Sequence, residues 1–438
     1  AFSLRSTLND DDQQRPDTNL WLDGPWLALA VTAAAHLSLF PGVADLDSFY
    51  HIGHALAYLE GSPFDTSLPW ATYSIIGDIG GGLWWGLHVL LMPFAALLDV
   101  PWAIRGAAFA LTASLAGTVW WVLRRHSVPA PGLWAAAFLL ISPNLLFREL
   151  MLRPHVVSLA AGIAMLSCLV RGRWWQVLLL STLTSWVHLS LFWLPPGIAV
   201  AYGVARIPAT VASGREDPDT GVGIRVAVLA AVIGVALGWL LRPDAFATAM
   251  LLNTQLVQLF AQKAGGLPLT FAAELSPVGL LELIRTTWLF AGVWLIAILF
   301  VVRKAVVTQF HDLGQARATL LLGAGLISLA FFLLAMVSAR RAMEQWAAFG
   351  FLMVPLLVSA GAHSGADCVR GWRRRPKWLQ GAVALLVVAH LGWTGYRHQL
   401  NVELVAFPGD SLREVAALLA EKSEPGDLVF HAGWENLG

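Results

Sequence analysis

The hydrophobic positions of this chain fall in long uninterrupted runs rather than in a helical or alternating stripe. Runs of roughly 17–25 residues recur along the whole length, which is what an α-helix needs to cross the hydrocarbon core. They predict about 11 transmembrane helices, at 25–43, 102–123, 130–147, 155–170, 174–189, 190–206, 224–241, 284–302, 318–337, 345–362 and 378–394. Backbone groups in lipid must be bonded within the segment, so such runs imply a helical bundle. A β-barrel would show short alternating segments, and the sequence has none. The expected class is therefore an all-α polytopic membrane protein. One further apolar stretch, 79–98 (IGGGLWWGLHVLLMPFAALL), starts with glycines and carries His88, and it reads as a surface or re-entrant helix.

Composition supports this class. Of 438 residues, 57% are hydrophobic and 13% charged, about half the charge of an ordinary soluble domain. The 21 Trp suit a protein with two long water–lipid interfaces. A net charge of zero gives no bulk electrostatic case for a nucleic-acid partner. Cys168 lies in an apolar run and Cys368 in a basic loop, so no disulfide between them is expected. The polar stretch before Trp21 has no cleavable-signal pattern.

Charge orients the spans. The clusters Arg124/Arg125, Arg171/Arg173, Arg206 to Arg225, Arg303/Lys304, and Arg370 with Arg373–Arg375 and Lys377 each follow an even-numbered span. They collect on one side, and the positive-inside rule makes that side cytoplasmic. Had 79–98 crossed, Arg124/Arg125 would lie outside. Residues 1–24 are then a cytoplasmic N-terminal segment and 25–394 the membrane domain. The outer face receives a long first loop, 44–101, bearing surface helices. It also receives the turn 148–155, the turn near His188, a second large loop 242–283, the turn 338–344 and the tail from 395 to 438. In that tail Ser411–Lys422 reads as an amphipathic helix with a Ser N-cap and Asp427–Phe430 as a short buried strand. This predicts the start of a small α/β extracytoplasmic domain that the chain ends before closing. Unusual polar residues lie in the outer segments, so function is expected at the extracytoplasmic face of the cell (inner) membrane.

Three constellations there could carry chemistry. The first is Asp45-Leu46-Asp47-Ser48-Phe49-Tyr50-His51-Ile52-Gly53-His54, directly after span one. On a helix Asp47, His51 and His54 share a face, which could hold a divalent metal such as Mg²⁺ or Mn²⁺, or a base with an orienting partner. The bland alternative makes Asp45 an N-cap and the histidines interfacial. The second is Arg148-Glu149-Leu150-Met151-Leu152-Arg153-Pro154-His155. Two arginines and a histidine at an outer turn oppose the orientation bias and suit an anionic ligand such as a phosphate. The alternative is a local Glu149–Arg153 salt bridge, worth little at a surface. The third, Arg340-Arg341-Ala342-Met343-Glu344, also places paired arginines outside, with an Arg340–Glu344 pair as its alternative. His88, His188 and Glu274 are single candidates, Glu274 as a second carboxylate from a distant loop.

There is no GxxxxGK[ST] loop, no dinucleotide fingerprint between strand and helix, and no GxSxG or HExxH. No cytosolic loop is long enough to fold a nucleotide-binding domain, whereas a lipid-borne substrate can enter sideways. On these residues the chain resembles the GT-C superfamily of polytopic glycosyltransferases. The resembling features are Asp45 and Asp47 after span one, the long first outer loop, the Arg153-Pro154-His155 turn, Arg340-Arg341 with Glu344, and the tail. The resemblance covers most of the chain in layout but only short motifs in sequence. It implies sugar transfer from a polyprenyl-phosphate donor to a glycan, lipid or protein acceptor. Asp45 would be the base, Asp47 a helper or metal ligand, and Arg148, Arg153, His155, Arg340 and Arg341 the phosphate site. His51, His54, His88, Glu274 and Glu344 would support it. A WWDYG-type acceptor motif is missing, and the two histidines of the first loop depart from many members. A catalytically degenerate scaffold or subunit, and a transporter, are the alternative readings.

Overall fold

The computed structural model describes residues 20–65, 82–213, 221–266, 276–304, 313–359 and 374–405, with 414, 417–419, 421 and 422. Every regular element among them is helical. After a one-turn helix at Leu20–Asp23 they are, in chain order, α1 (Trp26–Leu37), α2 (Asp47–Glu60), α3 (Trp85–Leu97), α4 (Val100–Arg125), α5 (Pro131–Leu139), α6 (Pro143–Glu149), α7 (Pro154–Val170) and α8 (Trp174–Val187). After a 3₁₀ turn at Leu189–Leu191 come α9 (Leu194–Ser213), α10 (Ile224–Leu240), α11 (Ala245–Asn253) and, across a π-helical stretch at Thr254–Gln258, α12 (Leu259–Ala264). The last four are α13 (Leu280–Arg303), α14 (Gly314–Val337), α15 (Ala342–Val358) and α16 (Lys377–Val405).

Five of the described helices are long and apolar enough to cross a membrane, or seven if two bent pairs each count as one span. The expected eleven are not supported. Apolarity is continuous where the backbone is not, and several predicted spans are shorter or broken helices. The run 130–147 divides into α5 and α6, because Ser142 takes an extended conformation and caps α6, accepting from Leu145 N at 3.5 Å. Pro143 then occupies the first helical position, where its missing N–H costs nothing. Two sharp bends follow, 103° between α6 and α7 and 110° between α10 and the helix beginning at Ala245. α3 takes up most of the described part of 79–98 and, at 13 residues, is too short to cross alone.

Packing follows small residues and aromatics. α8 lies along α10, where Gly234 meets Ser181 and Gly238 meets Ser185, with Ala227 and Ala231 of α10 also buried. A Cβ on Gly234 or Gly238 would run into the Leu178 and Thr182 carbonyls, so only glycine permits this approach. A second centre forms where Trp346, fully buried, meets Phe290, Trp294 and Phe332, with Trp294 Nε1 donating to Ser328 Oγ at 3.0 Å.

The chain traverses this bundle repeatedly. At one end His126 Nε2 contacts Ser167 Oγ at 2.9 Å, Val222 N donates to Leu169 O, and Arg317 donates to Ser127 O. α4 and α7 therefore run parallel, with their C-termini and the basic residues Arg124, Arg125, Arg171 and Arg206 at that end. The other end gathers the α1–α2 turn, the α6–α7 turn, the α8 C-terminus and the α14–α15 turn. α16 continues as one helix to Val405, past the expected domain boundary at 395. The described residues between 414 and 422 are helical, and the expected strand Asp427–Phe430 lies outside the described residues.

Candidate functional site

Asp45 sits in the turn between α1 and α2, behind the buried Val43 and Ala44. Its carbonyl accepts from Ser48 N at 3.2 Å, but the N-cap position of α2 falls to Leu46, not to Asp45. The carboxylate turns instead to Arg153. That residue lies between α6 and α7 with extended backbone (φ −136°, ψ 152°), as the following Pro154 requires. Arg153 Nε pairs with Asp45 Oδ2, Nη2 donates to Asp45 Oδ1 at 2.9 Å, and Nη2 also reaches Asp47 Oδ2 at 2.8 Å. One guanidinium thus binds Asp45 and Asp47 together, Asp45 in the bidentate geometry that makes Arg–carboxylate pairs strong.

Next to it, Arg148 Nε pairs with Glu344 Oε1, and His155 Nε2 lies 3.7 Å from Glu344 Oε2. Arg341 stands within electrostatic reach of Glu344 and His155. Glu344 opens α15 in its first turn, and its side chain is 4% exposed. Arg340 pairs with Glu282 at 2.7 Å rather than with Glu344, and its backbone N–H donates to Ser276 O. Likewise Glu149 does not pair with Arg153: it is buried at the end of α6 with one carboxylate oxygen unbonded, and its carbonyl accepts from Thr112.

Behind the carboxylates, α2 packs on α3 through imidazoles. His51 Nδ1 meets His88 Nε2 at 3.0 Å, and His54 stacks flat on His88 with centroids 4.4 Å apart at 7°. Tyr50 closes the group edge-on to His54. Burial is the main cause holding His51 down to about 3 and His54 to about 4 from 6.5, so both are neutral near pH 7. Burial, with Asp47 second, raises Tyr50 to about 12.

No known family matches this chain, and no curated protein does.

The structure brings Asp45, Asp47 and Arg153 together, sets Arg148, His155, Arg341 and Glu344 beside them, and places His51, His54 and His88 in an adjoining cluster. Arg340 is at the same end in a separate pair. Glu274 lies outside the described residues. The metal set proposed from Asp47, His51 and His54 does not assemble: among the described residues no three His, Cys, Asp or Glu side chains are placed to hold a metal. The shared helix face exists, but both imidazoles turn inward to His88 while Asp47 turns to Arg153.

Sequence reasoning missed Arg242 and Glu282. Arg242 is 4% exposed and donates to Gly82 O at 2.6 Å, Leu83 O at 2.7 Å and Trp186 O at 2.8 Å. It ties the turn before α3 to the C-terminal carbonyls of α8, where a cation complements the helix dipole. Its signal was present, since the topology expected from charge puts this arginine on the side that orientation bias disfavours. Glu282 is announced only by its place in the first turn of α13.

Proposed function

We propose that this chain is a multi-pass membrane glycosyltransferase, taking a sugar from a polyprenyl-phosphate donor at the extracytoplasmic face. The observation that carries the reading is the convergence of first-loop carboxylates with guanidinium groups from two other turns. Sugar transfer needs a base for the acceptor hydroxyl and positive charge for the departing phosphate, on opposite sides of one carbon. In this reading the acceptor oxygen bonds to the anomeric carbon as the bond to the phosphate oxygen breaks, and the phosphate leaves with the electron pair. The hydroxyl proton passes to Asp45, whose oxygens keep lone pairs beyond those given to Arg153. Arg153, Arg341 and Arg148 stabilise the phosphate. By the positive-inside rule, the basic residues of the opposite end support a cytoplasmic side there. Eleven crossings follow if the shorter helices α1, α8 and α15, and α5 joined to α6, also traverse the bilayer, with α7 and α10 each crossing before or after its bend.

The test is transfer from radiolabelled polyprenyl-phosphate sugars by reconstituted protein. Asp45→Asn should abolish turnover while insertion is unchanged, and retained turnover in that variant removes the role. A second reading, a degenerate transferase fold acting as a subunit, is favoured by the engagement of both first-loop carboxylates with Arg153. It predicts no transfer with any donor and copurification with a fixed partner. Transport is less well supported, because the paired polar side chains gather at one end of the bundle rather than along a path through it.

A further inference from the structure

The Arg153 guanidinium serves two carboxylates, and they are not equivalent. Asp45 receives two of its N–H groups, is 10% exposed, and sits in a turn whose preceding residues are buried. Asp47 shares a single nitrogen, Nη2, and its side chain is 35% exposed. The backbone under Asp47 is held in place: α2 is anchored by Ile52 and Ala55, both fully buried, and by the His51–His88 contact. Exchanging the anion at Asp47's place on Arg153 therefore involves one shared nitrogen and the more exposed of the two carboxylates, and leaves the backbone of α2 where it is. Releasing Asp45 would strip a buried carboxylate of its cation, which is costly.

We propose that the Asp47 carboxylate is an internal stand-in for a phosphate, occupying part of the Arg153 guanidinium until a phosphate group displaces it. The inference rests on the transferase reading for its ligand class, a lipid-linked phosphate, but not for its geometry. A sugar phosphodiester and a carboxylate each carry one negative charge. The exchange moves Asp47 to solvent and brings the phosphate onto Arg153 at constant local charge. Asp45 keeps its bidentate contact throughout, so the base stays oriented while the anion changes. Asp47 thereby acts as a competitor for the phosphate rather than as a second catalytic acid. Removing its charge should tighten phosphate binding, the opposite of what a metal ligand or catalytic helper would show.

The test uses the full chain in neutral phosphatidylcholine nanodiscs, titrated separately with undecaprenyl phosphate, inorganic phosphate and undecaprenol. Asp47→Asn should bind undecaprenyl phosphate about fivefold more tightly than wild type, the value of one partly exposed ion pair. Asp47→Ser should do the same, and Asp47→Glu should stay near wild type. Arg153→Gln should lose about tenfold or more. A gain for inorganic phosphate as well supports exchange with a free anion; a gain confined to the lipid supports a headgroup. Unchanged or weaker binding in both Asp47→Asn and Asp47→Ser, with unfolding temperatures equal to wild type, overturns the proposal. Undecaprenol bound as tightly as its phosphate overturns it too. Exchange without sugar transfer would sink the transferase reading alone, and transfer without exchange would sink only this inference.

Discussion

Arg153 and Arg340 each have a carboxylate four residues away in sequence, and neither uses it. The i, i+4 rule holds only while the backbone stays helical. α6 stops at Glu149, Arg153 is extended before Pro154, and Arg340 lies in the turn ahead of α15, so both arginines reach across the bundle instead. The sequence signal for these residues, arginines apart from the basic clusters that follow the even-numbered spans, was legible; their partners were not, because long-range pairing leaves no local spacing. The Arg148–Glu344 pair joins α6 to α15, and Glu344→Gln should remove the carboxylate that Arg148 and His155 share. The expected loss is on the order of 3 kcal/mol, read as a lower unfolding temperature in detergent and largely recovered in the Arg148→Met, Glu344→Gln double variant. The imidazoles set a pH limit. His51 and His54 are depressed to about 3 and about 4 from 6.5, so below 6.5 the unfolded chain binds protons that the folded chain does not. Their contribution is complete above that value and is lost progressively as pH falls through the folded values. Unfolding temperature should drop between about pH 7 and about pH 4.5, and His54→Gln should flatten the drop. An equal slope in the variant would remove His54 as a cause.

At the scale of elements, apolar runs located helices well and their ends poorly. The runs near α4, α9, α14 and α16 are single long helices, as their length required, whereas α13 is kinked at Thr287 (φ −138°, ψ 20°). The runs at 130–147 and 224–241 hide a break or lead into one, marked only by Ser142-Pro143 and by Arg242-Pro243-Asp244. Hydropathy averages across such marks, whereas capping chemistry obeys them. The α8–α10 contact shows what a single methyl can decide at this scale. Gly234→Leu would force α10 away from the Leu178 carbonyl, at a cost of about 1–3 kcal/mol, whereas Val232→Leu on the exposed side of the same helix should be close to neutral. Thermal unfolding of the two variants in one detergent checks the contrast. Arg242→Met should disturb the neighbouring joint differently. It strands the Gly82, Leu83 and Trp186 carbonyls and loosens α3, so protease cleavage between α2 and α3 should accelerate while the α8–α10 core persists.

For the whole molecule, the distribution of charge between the two ends was the most informative reading of the sequence, and it bears on a fact about apolar surface. α16 packs mainly on α6, yet Leu385, Val388 and Trp378 are each at least 66% exposed. Such a helix is unstable against water and stable against lipid. If the bundle spans a bilayer, the end holding Arg124, Arg125 and Arg173 and the end holding Asp45 and Arg153 must face different compartments. That can be measured without any assumption about activity. In a background lacking Cys168 and Cys368, Glu60→Cys and Arg173→Cys put one exposed thiol at each end. In intact cells an impermeant thiol reagent should modify the Glu60→Cys protein and spare the Arg173→Cys protein, with the preference reversed in inverted vesicles. The two positions are joined by α3 to α7, so labelling of both from one side would require an even number of crossings between them. An odd number is what the contacts of α4, α5–α6 and α7 describe: His126 and Ser167 meet at one end, Asp45 and Arg153 at the other. Same-side labelling would therefore remove the sidedness on which the extracytoplasmic placement of Asp45 depends, while leaving the carboxylate–guanidinium cluster itself untouched.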